Sequence, residues 1–480
     1  MALTPVFARG YPLILLSLFD AGVPFVRMLA MSRFLPLREL GFASVLTATY
    51  GMYEQVTNID IYRFVFSTPR QDYDEALASA HALSALRGLA VGLLAVVASP
   101  LLASLMSLRS DWPDFAILGG VIVIRSLEHV GPRVAARDYR YGAQFKMNLI
   151  ANGLGLLALA TALLAARNRY AIIAFLYAHA IGIVAASRAL ADTPYRIKFH
   201  SPYFMKCFRF GYPLMVNGIG LAAMSQGDRF VVGALLGLPA LGIYAVMTLV
   251  TTVPLSMIGQ VTGTVTLATL YNASQRADGS YLARVKLTAR MIPLISASCA
   301  LGVLTLMNWI VPAVFGLQFI ISREAVALLS LATFVRLARG DPMTSILLNE
   351  GRTRRLALAT LSSVSALPLE IALILLLGSF EAALLGRLLG EVVGLAMALY
   401  LTRNQLRGAW RDQTLAIAAG LASLAAAIVL GAGAPARTNI ESSIILLFTC
   451  LAMFGMWILR FGPPLIRAGF PGQSLFAGLR

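Results

Sequence analysis

Six arginines stand inside stretches otherwise built from apolar residues: Arg27, Arg63, Arg125, Arg229, Arg336 and Arg339. A guanidinium offers a planar fork of donors that matches a compact polyanion such as a phosphate or pyrophosphate. Three acids, Asp20, Glu54 and Asp228, have the same apolar setting and are candidates to bind a proton or a sodium ion. An ionisable group at bilayer depth costs about 2.5–3.5 kcal/mol on insertion scales, so it faces a cavity or a partner. Local neutralisation is the competing explanation. Arg125 with Glu128 and Arg387 with Glu391 have the i,i+3 and i,i+4 spacings that pair on one helix face, and Arg63 stands near the end of its stretch, where a long side chain reaches the interface. Arg27 has no acid three or four residues away and is the strongest anion-binding candidate. Gly340-Asp341-Pro342 and Pro254 interrupt helical stretches and are candidate hinges.

The elements that carry these residues are membrane helices. Apolar residues make up 58% of the 480 and charged ones 13%, with a mean hydropathy of +0.77. Apolar stretches long enough to cross a bilayer recur from end to end. They fall at about residues 11–31, 41–67, 81–107, 114–135, 144–166, 170–190 and 211–237. The series continues at about 241–268, 284–314, 324–348, 354–378, 381–402, 413–433 and 440–461. The reading is an all-α polytopic protein with about fourteen spans. The first span is not a cleavable leader, because Asp20, Pro24 and Arg27 interrupt it.

Lys and Arg alternate between the connections. They crowd those around 133–146, 188–209, 276–290, 352–355 and 403–411, and are sparse in the intervening ones, where Arg109, Arg167, Arg169, Arg323 and Arg437 are among the few. The positive-inside rule then puts both termini in the cytoplasm. It also accounts for most of the net charge of +17, which meets anionic headgroups rather than nucleic acid. Cys207, Cys299 and Cys450, and His81, His129, His179 and His200, show no metal or disulfide spacing, so no metal or cofactor is expected. The chain has no phosphate-binding G-x-x-x-x-G-K-[ST], no nucleophile elbow and no H-E-x-x-H, which argues against ATP use and against an enzyme.

An internal repeat runs without a gap at an offset of 201. Gly10-Tyr11-Pro12-Leu13 returns as Gly211-Tyr212-Pro213-Leu214, and Leu40-Gly41 as Leu241-Gly242, with eleven identities across forty positions. Both copies start on the same face, so the repeat is parallel and implies two six-helix lobes about an axis along the membrane normal. The expected division is residues 1–190, a linker at 191–210, residues 211–402, and two extra helices with a tail at 403–480. A weaker echo joins the fourth and tenth spans, where Arg125 and Arg336 precede Pro132 and Pro342.

At these residues the chain resembles the Wzx-type O-antigen and polysaccharide flippases of the multidrug/oligosaccharidyl-lipid/polysaccharide exporter superfamily. The resemblance is carried by Gly211 to Thr248, with its Gly-Tyr-Pro-Leu start, Asp228-Arg229, and Leu241-Gly242-Ile243-Tyr244-Ala245. Arg33-Phe34-Leu35 before Leu40-Gly41-Phe42 adds to it. It implies two rocking bundles in a bacterial inner membrane that move an undecaprenyl-pyrophosphate-linked oligosaccharide between leaflets, with polysaccharide polymerase and export proteins as partners. It also implies pyrophosphate binding by Arg27, Arg229 and Arg336, with Arg125 and Arg63 in support. Asp228 is similar to an acid that some lipid II flippases use for sodium, so sodium or proton coupling through Asp228, Asp20 and Glu54 is expected, with Ser362, Ser365 and Glu391 as further members. A MATE-like exporter of organic cations predicts the opposite cavity charge. A ligase needs a large extramembrane loop, which the short connections leave no room for, and a scaffold of an export complex is the remaining alternative.

Overall fold

A computed structural model describes residues 22–138, 140–199, 202–274, 280–406 and 408–429. Every regular element among them is helical. By internal contacts the chain forms two compact units, Met1–Val246 and Met247–Arg480.

Unit 1 begins with α1 (22–34) and α2 (Leu37–Val56), followed by the short α3 (Ile61–Ser67) and the long α4 (Tyr73–Leu105). The fourth sequence span is divided among α5 (Trp112–Ala116), α6 (Leu118–Ser126) and α7 (Gly131–Val134), with a bend of 60° between the segments Arg109–Ser126 and Gly131–Asp138. Next come α8 (Gly142–Ala166), α9 (Tyr170–Ala189), α10 (Pro202–Leu236) and the first turns of α11 (Leu238–Ser274). Unit 2 takes the rest of α11, then α12 (Ser280–Phe315), α13 (Arg323–Gly340), α14 (Met343–Asn349) and α15 (Thr353–Leu361). It ends with α16 (Ala366–Leu377), α17 (Phe380–Thr402) and α18 (Trp410–Val429).

Among the described residues eight helices are long and apolar enough to cross a membrane, and the bent segment of unit 1 adds a ninth. Large apolar side chains such as Leu93, Val97 and Leu376 point outward, Leu376 with 78% of its surface exposed. The protein is a multi-pass membrane protein. Residues 11–21 of the first expected span, and the whole of the last, lie outside the described residues.

Besides the fourth span, three others are interrupted, one of them at the Gly340-Asp341-Pro342 that the sequence marks as a break. The 41–67 stretch breaks at Thr57–Asp60, where Thr57 Oγ1 bonds back to the Tyr53 carbonyl at 2.5 Å and Asn58 accepts the Asp60 N–H at 2.9 Å. Asn58 thereby takes an N–H that a continuing helix would have given to the Val56 carbonyl. The 324–348 stretch divides at Asp341-Pro342, since a proline lacks the N–H that continues a helix. The 354–378 stretch passes through a 3₁₀ turn at Ser362–Ser365. Elsewhere local chemistry sets the ends. Ser322 and Ser379 cap α13 and α17 by accepting the N–H of Ala325 and Ala382, and Gly378 ends α16 at φ 62°, a conformation that only glycine adopts freely.

Small residues set the closest helix contacts, as they do where lipid supplies no hydrophobic drive. A Cβ on Gly119 of α6 would lie 2.6 Å from the Gly92 carbonyl of α4. In unit 2, Gly386, Gly390 and Gly394 form one face of α17. A Cβ at Gly386 would lie 2.5 Å from the Glu370 Cα, and one at Gly390 would lie 2.3 Å from the Ala366 Cβ.

The 191–199 segment is not helical, yet it is bound to unit 1. His81 of α4 accepts the Val130 N–H through Nε2 at 3.2 Å. Its Nδ1 therefore carries the proton, and donates to the Arg196 carbonyl at 3.1 Å. Tyr195 stacks on His81 at 4.4 Å, Arg188 covers Tyr195 at 4.4 Å, and the Lys198 N–H donates to the Ala78 carbonyl.

Candidate functional site

In unit 1, α1 places the Arg27 guanidinium 5.0 Å from the ring of Phe175 on α9, a cation–π contact. Phe175 stacks in turn on His179, one turn along α9. The Arg27 Nε is buried without a hydrogen-bond partner, and Arg27 makes no ion pair among the described residues. Arg229 of α10 lies close enough for its charge to repel that of Arg27. Two of the arginines chosen from sequence thus share one neighbourhood, although they are 202 positions apart in the chain. Asp20 lies outside the described residues.

Arg125 and Glu54 line a cavity of unit 1 of about 180 Å³. Arg125 pairs with Glu128, the i,i+3 partner expected of it, and Arg133 reaches the other oxygen of Glu128 at 2.6 Å. Glu54 lies 3.7 Å from Arg87, whose second contact is the Thr57 carbonyl at 3.2 Å. The cavity lining carries Arg87, Arg125 and Arg133 against Glu54, Asp60 and Glu128, so its formal charges cancel. Arg63 is not part of that lining. Its side chain is 61% exposed, pairs with Asp60 at 3.1 Å and bonds the Tyr62 hydroxyl at 3.0 Å.

Asp228 accepts the hydroxyl proton of the buried Tyr244 at 2.7 Å and the Arg229 N–H at 2.9 Å. The Arg229 guanidinium reaches Gln226 at 3.3 Å. α10 runs unbroken through Gly227, so Asp228 and Arg229 do not share a face. In a continuous helix, successive side chains point about 100° apart.

In unit 2, Arg336 and Arg339 line a cavity of about 420 Å³ between α11 and the α13–α14 break. Asp341 at the break is buried and accepts from Ser345 at 2.6 Å. Arg339 donates to Ser363 at 2.5 Å and lies 3.3 Å from Glu391 of α17. Ser362 turns back to the Ala359 carbonyl at 2.8 Å and does not join this group.

Sequence reasoning passed over two membrane-embedded charges. Arg87 sits among apolar residues of α4, and Glu370, fully buried, sits in an α16 otherwise free of charge. The signal was the same one that singled out Arg27: an ionisable residue inside an apolar run.

Residues 30–324 match the family described as polysaccharide biosynthesis protein. The chain belongs to that family. The fold agrees with it. The lipid II flippase MurJ in an inward closed conformation superposes with a TM-score of 0.69 at 12% identity, over 94% of this chain and 99% of MurJ. An inward-facing multidrug resistance MATE transporter of the MOP superfamily gives a TM-score of 0.57 at 12% identity, over 82% of this chain and 95% of the transporter. A MOP superfamily transporter from Pyrococcus furiosus, whose binding pocket is described as having reversed polarity, gives 0.51 at 15% identity, over 84% and 96%. No curated protein sequence matches the chain. Gly211 to Thr248, the stretch that carries the resemblance, lies within the matched residues, and this member of the polysaccharide biosynthesis family has the fold of MurJ and of the MATE transporters.

Proposed function

We propose that this protein moves a polyprenyl-pyrophosphate-linked oligosaccharide from the cytoplasmic to the periplasmic leaflet of a bacterial inner membrane, for polysaccharide assembly. In this reading the fourteen spans form two six-helix lobes that alternate access, with both termini in the cytoplasm. The observation that carries it is the pair Arg27 and Arg229. Their charges act on one another, and no described acid is paired to Arg27. Two cations held in one neighbourhood suit a pyrophosphate and repel an organic cation. Family membership and the likeness to a lipid II flippase support the same reading. Arg336 adds a third cation in unit 2, and Asp228 is the proposed proton or sodium site.

The test is polysaccharide export in a strain lacking its own flippase, at matched membrane levels of each variant. Arg27→Ala should abolish export and Arg27→Lys should retain part of it, because lysine keeps the charge and loses the fork. Normal export by Arg27→Ala would end the proposal.

A further inference from the structure

The end of unit 1 where α4 begins, α7 leads into α8 and α9 finishes holds a cavity of about 530 Å³, separate from the sites above. That volume lies within the usual range of small-ligand pockets, about 300–1,000 Å³. Arg70, Arg137, Arg140 and Lys146 line it, opposed by Asp138 and Asp192. Four cations against two carboxylates leave a net charge of +2. Three of the four cations come from residues 137–146, and the fold adds Arg70 from the start of α4 and Asp192 from the end of α9.

The internal ion pairs leave the cavity open to an incoming anion. Arg70 meets Asp138 at 2.7 Å and Arg140 meets Asp192 at 2.9 Å. Arg70 is 78% exposed and Asp192 70%, and pairs so solvated hold their partners weakly. Arg137 is fixed by its bond to the Thr68 carbonyl at 2.7 Å. Lys146 projects from the first turns of α8 and is exposed. The same turns expose Gly142 and Ala143 to the cavity. No acid stands in the first turn of this 25-residue helix and no side chain caps it, so its leading N–H groups add to the positive field.

We propose that this cavity binds a phosphate-bearing anion at the face that Lys and Arg mark as cytoplasmic. Two sources offer that chemistry, an anionic lipid headgroup of the surrounding leaflet and a soluble phosphate compound. The experiment uses the full-length protein in phosphatidylcholine nanodiscs at constant ionic strength. Its thermal midpoint is followed during titration with inorganic pyrophosphate, and separately in discs that contain phosphatidylglycerol. A rise in the phosphatidylglycerol discs alone assigns the headgroup, and a rise with pyrophosphate alone assigns a soluble ligand. Either rise should shrink in Arg140→Gln and Lys146→Gln, with half-saturation displaced about tenfold, and persist in Lys146→Arg. Every arm is also run in an Arg27→Ala background, so that any rise owed to the arginines of α1 and α10 is removed before the glutamine variants are compared. No rise in either arm, or an equal rise in both glutamine variants, overturns the proposal.

Discussion

Arg169 offers the sharpest test of how unit 1 is held together. Its guanidinium bonds Asp111 at 2.5 Å and Asp114 at 3.0 Å, its N–H donates to Glu39 at 3.1 Å, and its plane lies 4.2 Å from the ring of Phe42. One cation thus joins α2, the start of α5 and α9. The participating side chains are one-fifth exposed or less, so solvent screens them little. Arg169→Met keeps most of the packing volume and leaves the carboxylates facing one another. Breaking a buried pair costs about 3–5 kcal/mol, and the lower end suits this partly wetted site. For a unit of this size about 3 kcal/mol corresponds to a fall in thermal midpoint of about 6–12 °C. The assay is thermal unfolding of the purified protein in nanodiscs, followed by tryptophan fluorescence. The triple variant Arg169→Met/Asp111→Asn/Asp114→Asn should recover at least half of the loss, since no uncompensated charge remains on the two side chains. An unchanged midpoint in the single variant, or no recovery in the triple, would refute the assignment of Arg169 as the cation that neutralises these acids.

Three further outcomes follow from the contacts. Gly390→Ala should destabilise unit 2 by about 1–3 kcal/mol, because its Cβ meets the backbone of Ala366; Gly394→Ala meets the Ser363 Oγ and the Arg339 side chain instead, so paired with Ser363→Ala it should recover, as thermal unfolding would show. His81→Phe leaves the Val130 N–H and the Arg196 carbonyl without their partner, at about 1–3 kcal/mol, and trypsin should then cleave faster at Arg196 and Lys198. Arg63→Ala should keep export and membrane level within about twofold of the parent, because its exposed pair with Asp60 is weak; loss of export would restore Arg63 to the substrate site.

What the sequence disclosed followed the range of the interaction. Helix class and most spans were legible, because apolar runs of membrane length need no knowledge of neighbours. The Arg125–Glu128 pair was legible for the same reason, being set by spacing on one helix. For Glu391 the spacing offers Arg387, and packing brings in Arg339 of another helix, which no spacing could indicate. Glu54 with Arg87, and Arg169 with Asp111 and Asp114, are likewise choices made by packing. Arg169 also explains an irregularity in the charge pattern. It stands on a connection that the positive-inside rule leaves poor in cations, and the acids around it account for its place there. The break at Thr57–Asp60 was hidden because no glycine or proline marks it, only the Asp60 N–H given to the Asn58 side chain.

Glu370 has a consequence for the order in which the protein is made. In the finished fold its carboxyl is covered, with Gly386 of α17 pressed against its own backbone. During synthesis α16 emerges first, and α17, which supplies that cover, does not yet exist. For that interval an acid in a membrane segment depends on its own helix, and the run Ile371-Ala372-Leu373-Ile374-Leu375-Leu376-Leu377 offsets what Glu370 costs. Leu375, Leu376 and Leu377 remain lipid-facing in the finished protein, so the residues that carry the helix through insertion are also those that anchor it afterwards. Replacing them with alanine should therefore reduce insertion of α16 far more when Glu370 is present than when it is glutamine, a comparison that a glycosylation-mapped insertion assay reads directly.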